Sequence, residues 1–467
     1  MDQNNGGIIG KINTPTTSVA SGVWSLDSQF DAQSSSIWPL AFPQTTFANS
    51  LRFNSGSTDY LNRTFGTATN SKKFTWSFWT KRTKLGTNQY FFENVGSHTY
   101  QGSILFDSND RLQMFDDSLG SGSGMYLITT QKFRDPSAWY HIVLAVDSTQ
   151  ATASNRAKMY VNGVQVTALS TATYPSQNHA LPYISGSGDP CNIGKYDNTS
   201  SNFDGYLTQV IFVDGQQLDP TSFGATNPAT NIWEPITYTG TYGNNGFKLN
   251  FTDSSALGDD TSGNGNDFTV NNLTSIDQST DTCSNNFATM NSLNNENTLS
   301  EGNLKIVTGS NTGTAGTMGF SSGKWYFEVK VDTAGGSYPF IGVVLQERYP
   351  VSSVGGGTAR WVGNGGLSDG DIVGFAVDLD NNTFNAYING SVLTEPSSYI
   401  NTSDGTIPAG DWIPAMSGVS STFSVNFGNP PYSISSGNAD ANGYGNFEYA
   451  VPSGYYAICT KNLAEFG

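Results

Sequence analysis

Charge is scarce in this sequence. Asp, Glu, Lys and Arg make up 13% of 467 residues, against ~25% in an average soluble domain. Positive charge is scarcest, with 21 Lys and Arg against 38 Asp and Glu and a formal net charge of −17. The few cations are scattered, so no basic face is available for phosphates and nucleic acid is not an expected partner. Cysteine is also rare: Cys191, Cys283 and Cys459 are far apart and odd in number. That excludes a disulfide framework or a C-x-x-C zinc pattern and leaves reduced thiols packed as small hydrophobes. No window approaches ~18 unbroken apolar residues, so no membrane insertion is expected. The opening MDQNNGGIIGKINTPTTS has no basic stretch followed by an apolar one, and cytoplasmic synthesis without a secretory signal is expected. Apolar heptads are missing too, which removes any coiled-coil argument for oligomers.

The strings that catalysis needs are absent as well. A glycosidase places two carboxylates across the scissile bond, often as E-x-D-x-x-E on one strand face, and no such string occurs. Glu328 and Asp332 in FEVKVD are expected on the solvent side of an edge strand. None of His98, His141 and His179 adjoins a nucleophile motif such as G-x-S-x-G. His141 alternates with Trp139 and Val143 along one strand and is read as structural. The protein is not expected to be an enzyme.

What the sequence has is glycine (52 residues), aromatics (13%) and many short alternating apolar runs separated by Ser, Thr, Asn and Gly. The stretch WYHIVLAVDSTQATASNRAKMYVNGVQV at 139–166 holds an apolar run, a polar loop, a second run and Asn162-Gly163. Runs this short and rich in β-branched residues fit strands buried on both faces, and Asn-Gly supplies the two positive-φ positions of a type I′ hairpin. DIVGFAVDLDNNTFNAYINGSVL at 371–393 repeats the pattern with Asn389-Gly390. The chain therefore spells the same meander twice.

Three regions separate along the chain. Residues 1–45 have few core-formers, and Trp24, Leu26 and Phe30 are the expected contacts of a docking segment; SLDSQFDAQ predicts a short helix capped by Ser25. Residues 46–255 and 256–467 each carry a full series of strand signals. The fold class expected is all-β: two antiparallel β-sandwiches of jelly-roll, concanavalin A-like type, preceded by the irregular docking segment.

In the first series LRFNSGSTDYLNRTF, FTWSFWTKR, WYHIVLAVD, AKMYVNGVQV and NIGKYDNTSSNFDGYLTQVIFVDGQQLDP follow in order. This set resembles the laminin G-like, concanavalin A-like family. In the second, SSGKWYFEVKV, FIGVV, GDIVGFAVDLDNNTFNAYINGS, WIPAMSG and FSVNFG resemble the SPRY family over about 140 residues, a bent sandwich used as a binding module. The leader, the two domains and the joint between them together resemble virion surface and tail-fibre proteins of tailed phages. That resemblance implies a virion protein docked by its leader to other virion proteins, recognising a host-surface glycan or protein, with a homo-oligomer, a trimer by analogy, as its assembly. A capsid decoration or other structural protein that binds only neighbouring subunits is the alternative.

Candidate sites are few. No cofactor and no metal site is expected. The laminin G-like resemblance raises Ca²⁺, which takes six to eight oxygens, and the strings that could supply them are Asp259, Asp260, Asn264, Asn266 and Asp267, and Asp378, Asp380 and Asn381. Asp and Asn are also what turns require, and both strings are read as turns. Among the aromatics, Trp76, Trp79, Trp139, Trp325 and Trp412 follow strand patterns and are expected in the core. Arg360-Trp361 lies in the glycine-rich VGGGTARWVGNGG, with no period to hide a large side chain, and is the candidate ligand-binding pair; the alternative is that Trp361 folds back over a sandwich end. Tyr90, Phe91 and Phe92 form a weaker second choice.

Overall fold

The computed structural model describes residues 46–94, 101–118, 124–185, 190–196, 201–228, 230–293, 297–309, 312–348, 359–363, 367–393, 400–401 and 405–467. The docking segment 1–45, with Trp24, Leu26, Phe30 and the predicted helix, lies outside the described residues.

The first sandwich consists of two eight-stranded antiparallel sheets. At the centre of the first sheet, the strand Lys73–Arg82 lies between Trp139–Asp147 and Gly205–Asp214. The second sheet runs from Leu169–Thr173 through Met125–Lys132, Arg111–Asp116, Gly102–Phe106, Gln89–Asn94 and Pro190–Ile193 to Tyr60–Thr64. Alternate residues of both sheets meet in one core, with Trp76, Ile142, Leu144 and Phe212 from the first against Phe92, Ile104, Phe106 and Met114 from the second. Trp76 sits among Phe92, Phe212 and Phe247 at centroid distances of 4.4, 4.7 and 5.7 Å.

The second sandwich packs a sheet centred on Lys324–Thr333 and Ile372–Asp378 against one centred on Trp412–Val419 and Ser337–Leu345. Its core joins Trp325, Phe327 and Phe375 to Ile341, Val343 and Trp412.

The boundary expected at 255/256 falls inside the first sandwich. Thr269–Asn271 pairs with Tyr60–Thr64, and Gln278–Ser279 pairs with Ser50–Phe53, so each sheet of the first sandwich takes its last strand from beyond residue 255. The joint at 250–280 is therefore sheet and packed turns rather than an open linker.

Both Asn-Gly turns form as the sequence implies, with φ of 48° and 80° at Asn162 and Gly163 and 50° and 78° at Asn389 and Gly390. Each asparagine also clasps the start of its own meander: Asn162 Oδ1 accepts from the His141 amide at 2.8 Å, and Asn389 Oδ1 from the Ile372 amide at 3.0 Å. Each glycine then seats an aromatic from a later segment. A Cβ on Gly163 would lie 2.5 Å from the Trp233 ring, and one on Gly390 would lie 2.8 Å from the Tyr449 ring. A methyl group there meets both an unfavourable backbone conformation and a ring. Gly163→Ala is expected to destabilise the fold by roughly 2 kcal/mol, read as a shifted denaturant midpoint. An unchanged midpoint would mean that Trp233 has room to move.

Candidate functional site

The two sandwiches meet on the outer face of the first sheet, and the contact is ionic and buried. Lys81 points away from the core of its own sandwich and is fully buried. Its Nζ donates to Asp281 Oδ2 at 2.8 Å, Asn286 Oδ1 at 2.8 Å and the Phe287 carbonyl at 3.0 Å, which uses all three of its protons. Asp281 is equally buried, and its other oxygen accepts from Trp139 Nε1 at 3.0 Å. Beside this pair, buried Arg52 donates to the carbonyls of Ile276 and Pro430 and lies 3.6 and 3.8 Å from the carboxylates of Asp277 and Glu301. Glu301, Gly302 and Asn303 turn left-handed in succession. This turn plugs into the first sandwich, where Gly302 accepts from the Tyr206 hydroxyl at 2.9 Å and Asn303 donates to the Thr83 carbonyl at 3.0 Å.

A cleft of about 410 Å³ opens along the edge of this junction. Trp139, Trp233, Ile232 and Pro235 form its apolar wall, and Glu234, Asn286, Thr460 and Lys461 supply polar groups. Trp233 is locked in place from several sides. Gly163 and Gly224 flank its ring, and its Nε1 donates to His141 Nδ1 at 3.0 Å. His141 is itself stacked on Trp79, with ring centroids 4.7 Å apart. Ile232 beside it is 59% exposed.

His141 also lies 2.9 Å from Ser77 Oγ through Nε2. The pair looks like a nucleophile and its base, but the tautomer rules that out. With Nδ1 accepting the indole proton, Nε2 carries the ring hydrogen and donates to Ser77. Burial also pushes the imidazole down to about 3, so it cannot take a second proton from serine near neutral pH. His141 is structural, as its alternation implied, and what it positions is Trp233.

The other candidates lie elsewhere. Arg360 belongs to the strand Ala359–Gly363, is buried, and donates through Nε to the Thr406 carbonyl and through a terminal nitrogen to the Ala359 carbonyl. It is not displayed, because Ala359–Gly363 forms a strand paired with Ser337–Leu345. Trp361 is half-buried, edge-on to Phe340 of the neighbouring strand at 4.4 Å. Phe91 and Phe92 are core, and Tyr90 is buried in a separate cluster with Leu105 and Phe115, against Tyr196 at 4.3 Å. Trp139, expected in the core, is half-buried at the cleft.

Glu328 is fully buried rather than solvent-facing. It accepts from the Glu448 and Tyr449 amides, the Tyr326 hydroxyl and Asn426, which fastens the C-terminal segment over the sheet. Burial raises its carboxyl above the usual range. The Asp260 carboxylate accepts from the amides of Lys248, Ser262 and Asn266, and Asp378 accepts from Asn381 and Lys324. Both loops thus spend these oxygens on turn and clamp bonds. Among the described residues no cluster of three metal-ligating side chains occurs and no helix is long and apolar enough to cross a membrane.

Residues 55–221 match a family described as the concanavalin A-like lectin/glucanases superfamily. No curated protein matches the sequence. Three solved structures show partial likeness. A native heptameric SAP-like pentraxin from Limulus polyphemus is 17% identical, with a TM-score of 0.25, over 38% of this chain and 76% of that one. The SPRY domain of human HERC1 is 16% identical, with a TM-score of 0.20, over 26% of this chain and 87% of that one. A candidate carbohydrate binding protein from Bacteroides ovatus is 16% identical, with a TM-score of 0.33, over 51% of this chain and 62% of that one.

The junction makes stability depend on pH. Asp59 bonds to the Asn54 amide and Ser57 hydroxyl, yet burial, with the charges of Asp277 and Glu301 adding to it, raises its carboxyl to about 6. A carboxyl raised on folding adds stability that is full below its unfolded value near 4 and is lost as pH rises through 6. Asp59→Asn is expected to gain ~1–2 kcal/mol at pH 7.5, allowing for solvent screening, and to show less gain than the parent on acidification from pH 7 to 5. Urea titrations at the two pH values check this, and equal pH slopes in parent and variant would contradict it.

Proposed function

We propose that the protein is a binding protein of a virion surface, a tail-fibre or receptor-binding appendage that recognises a host-surface glycan or protein, and that the junction cleft seats a sugar ring. The observation that carries this reading is the immobilised indole of Trp233. An aromatic face covers the C–H side of a pyranose, and a face already locked by its surroundings loses little entropy on binding. Glu234 and Lys461 line the same cleft and offer an acceptor and a donor to hydroxyls, with one charge of each sign, which suits a neutral sugar better than a charged one. The lectin description of the family matched by residues 55–221 supports the same ligand class. The virion setting rests on the order of leader, laminin G-like domain and SPRY-like domain in the sequence.

Tryptophan fluorescence should report binding directly, since Trp139 and Trp233 line the cleft. Titration with a panel of neutral hexoses and their short oligomers is expected to find a ligand, and Ile232→Asp to weaken it about tenfold, ~1.4 kcal/mol, without changing the melting temperature. No response across the panel, or equal affinity in the variant, removes the cleft from the reading.

The setting has its own test. Deleting residues 1–45 is expected to leave the two sandwiches folded but absent from particles, and labelled intact protein should map to the tail. Labelling of the capsid shell would favour the decoration alternative, and normal incorporation of the truncated chain would discard the leader as the dock.

A further inference from the structure

Lys81, Asp281 and Asn286 bring groups of complementary reactivity together. A primary amine, a carboxyl group and a carboxamide converge at one contact. Lys81 and Asp281 are fully buried, and the amine lies 2.8 Å from both the carboxylate oxygen and the amide oxygen. The amide carbon lies one C=O bond beyond that oxygen, so Cγ is at most about 4 Å from Nζ, close to attack distance. The carboxamide is oriented as well as near. Asn286 Nδ2 donates to the Ser137 carbonyl at 2.6 Å, and its backbone amide donates to Thr460 Oγ1 at 3.0 Å. Asp281 is held in turn by Trp139 Nε1 and the Phe287 amide.

We propose that Lys81 and Asn286 become joined by an amide bond between Nζ and Cγ, formed by the folded chain itself with Asp281 as the acid–base group and with release of one ammonia. The ammonium first passes a proton to Asp281. In a buried contact the neutral pair competes with the ion pair, because charge is costly there, and burial raises the Asp281 carboxyl in the same direction. The Nζ electron pair then forms a bond to Cγ as the π pair of the amide moves onto Oδ1. A second proton shed by Nζ is relayed through Asp281 to Nδ2. The carbonyl reforms, the Cγ–Nδ2 bond breaks, and ammonia leaves. From ammonium, carboxylate and carboxamide the products are a secondary amide, ammonia and a neutral carboxylic acid. Nothing is oxidised or reduced and no co-reactant is needed.

The surroundings suit each part of this step. Lys81 is fully buried, with the Tyr206 ring over its Nζ at 5.7 Å. Ammonia has an exit, because Asn286 is half-buried and lines the cleft. The bond would tie a central strand of the first sandwich to the segment that enters the second. It is independent of whether the cleft binds sugar.

Mass spectrometry of the intact, full-length protein tests the proposal. The expected mass falls short of the sequence mass by one ammonia. Asn-Gly pairs such as 162–163 and 389–390 can lose ammonia by cyclising, so the deciding readout is the tryptic digest. It should contain a branched peptide joining the segment of Lys81 to that of Asn286, with no cleavage after Lys81. Asn286→Ala and Asp281→Ala should yield only linear peptides. A folded parent protein that gives linear peptides with free Lys81 overturns the bond, and a branched peptide from Asp281→Ala overturns the role of the aspartate. Because the parent protein carries the main readout, the result stands even if a variant fails to fold.

Discussion

An amine buried beyond the reach of water must find acceptors for all its protons, and Lys81 finds every one of them in the seven residues 281–287. That requirement fixes where the chain goes after the first sandwich closes. The segment has to lie across the outer face of the central strand Lys73–Arg82, and the Glu301–Asn303 turn and the loop at Pro430 come to rest on Arg52 and Tyr206 beside it. Removing one partner of such a pair would leave the other charged and unsolvated, at a cost of roughly 3–5 kcal/mol. The cleft exists because this contact holds Trp139 and the C-terminal helix Thr460–Phe466 against one face.

The local elements were legible because they rest on local chemistry. Alternation marked the strands, and Asn-Gly marked both hairpins with the backbone signs that the structure shows. The all-β class followed, and residues 55–221 match a concanavalin A-like family. What sequence spacing could not show is pairing at long range. Thr269–Asn271 and Gln278–Ser279 are short runs in a polar stretch, and only their partners more than 200 residues earlier make them strands of the first sandwich. Glu328 was read by residue type as solvent-facing, whereas four donors, three of them from distant segments, make its burial tolerable. Arg360 was likewise hidden by a strand pairing that a glycine-rich run does not announce.

The cleft was the least legible part, since its walls come from both ends of the described chain and from the middle. One signal was present all the same. Trp233 follows a polar stretch and obeys no strand alternation, which is the argument that singled out Trp361. Applied evenly, it would have found the residue that His141, Gly163 and Gly224 hold in place. Lys81 gave no signal at all, because a lysine in FTWSFWTKR reads as the exposed edge of a strand until a second domain covers it.

The two ends of the described chain come out beside each other. Thr46 and Thr460 line the same cleft, Phe47 donates to Ser284, and Asn286 two residues on donates to Thr460, both at 3.0 Å. Anything tethered before Thr46 and anything tethered after the C-terminal helix would therefore be attached at one spot. Tension pulled between the two tethers would be met first by the bonds that residues 284–286 make to Phe47 and Thr460, so the junction of the two sandwiches is also where such a load would arrive.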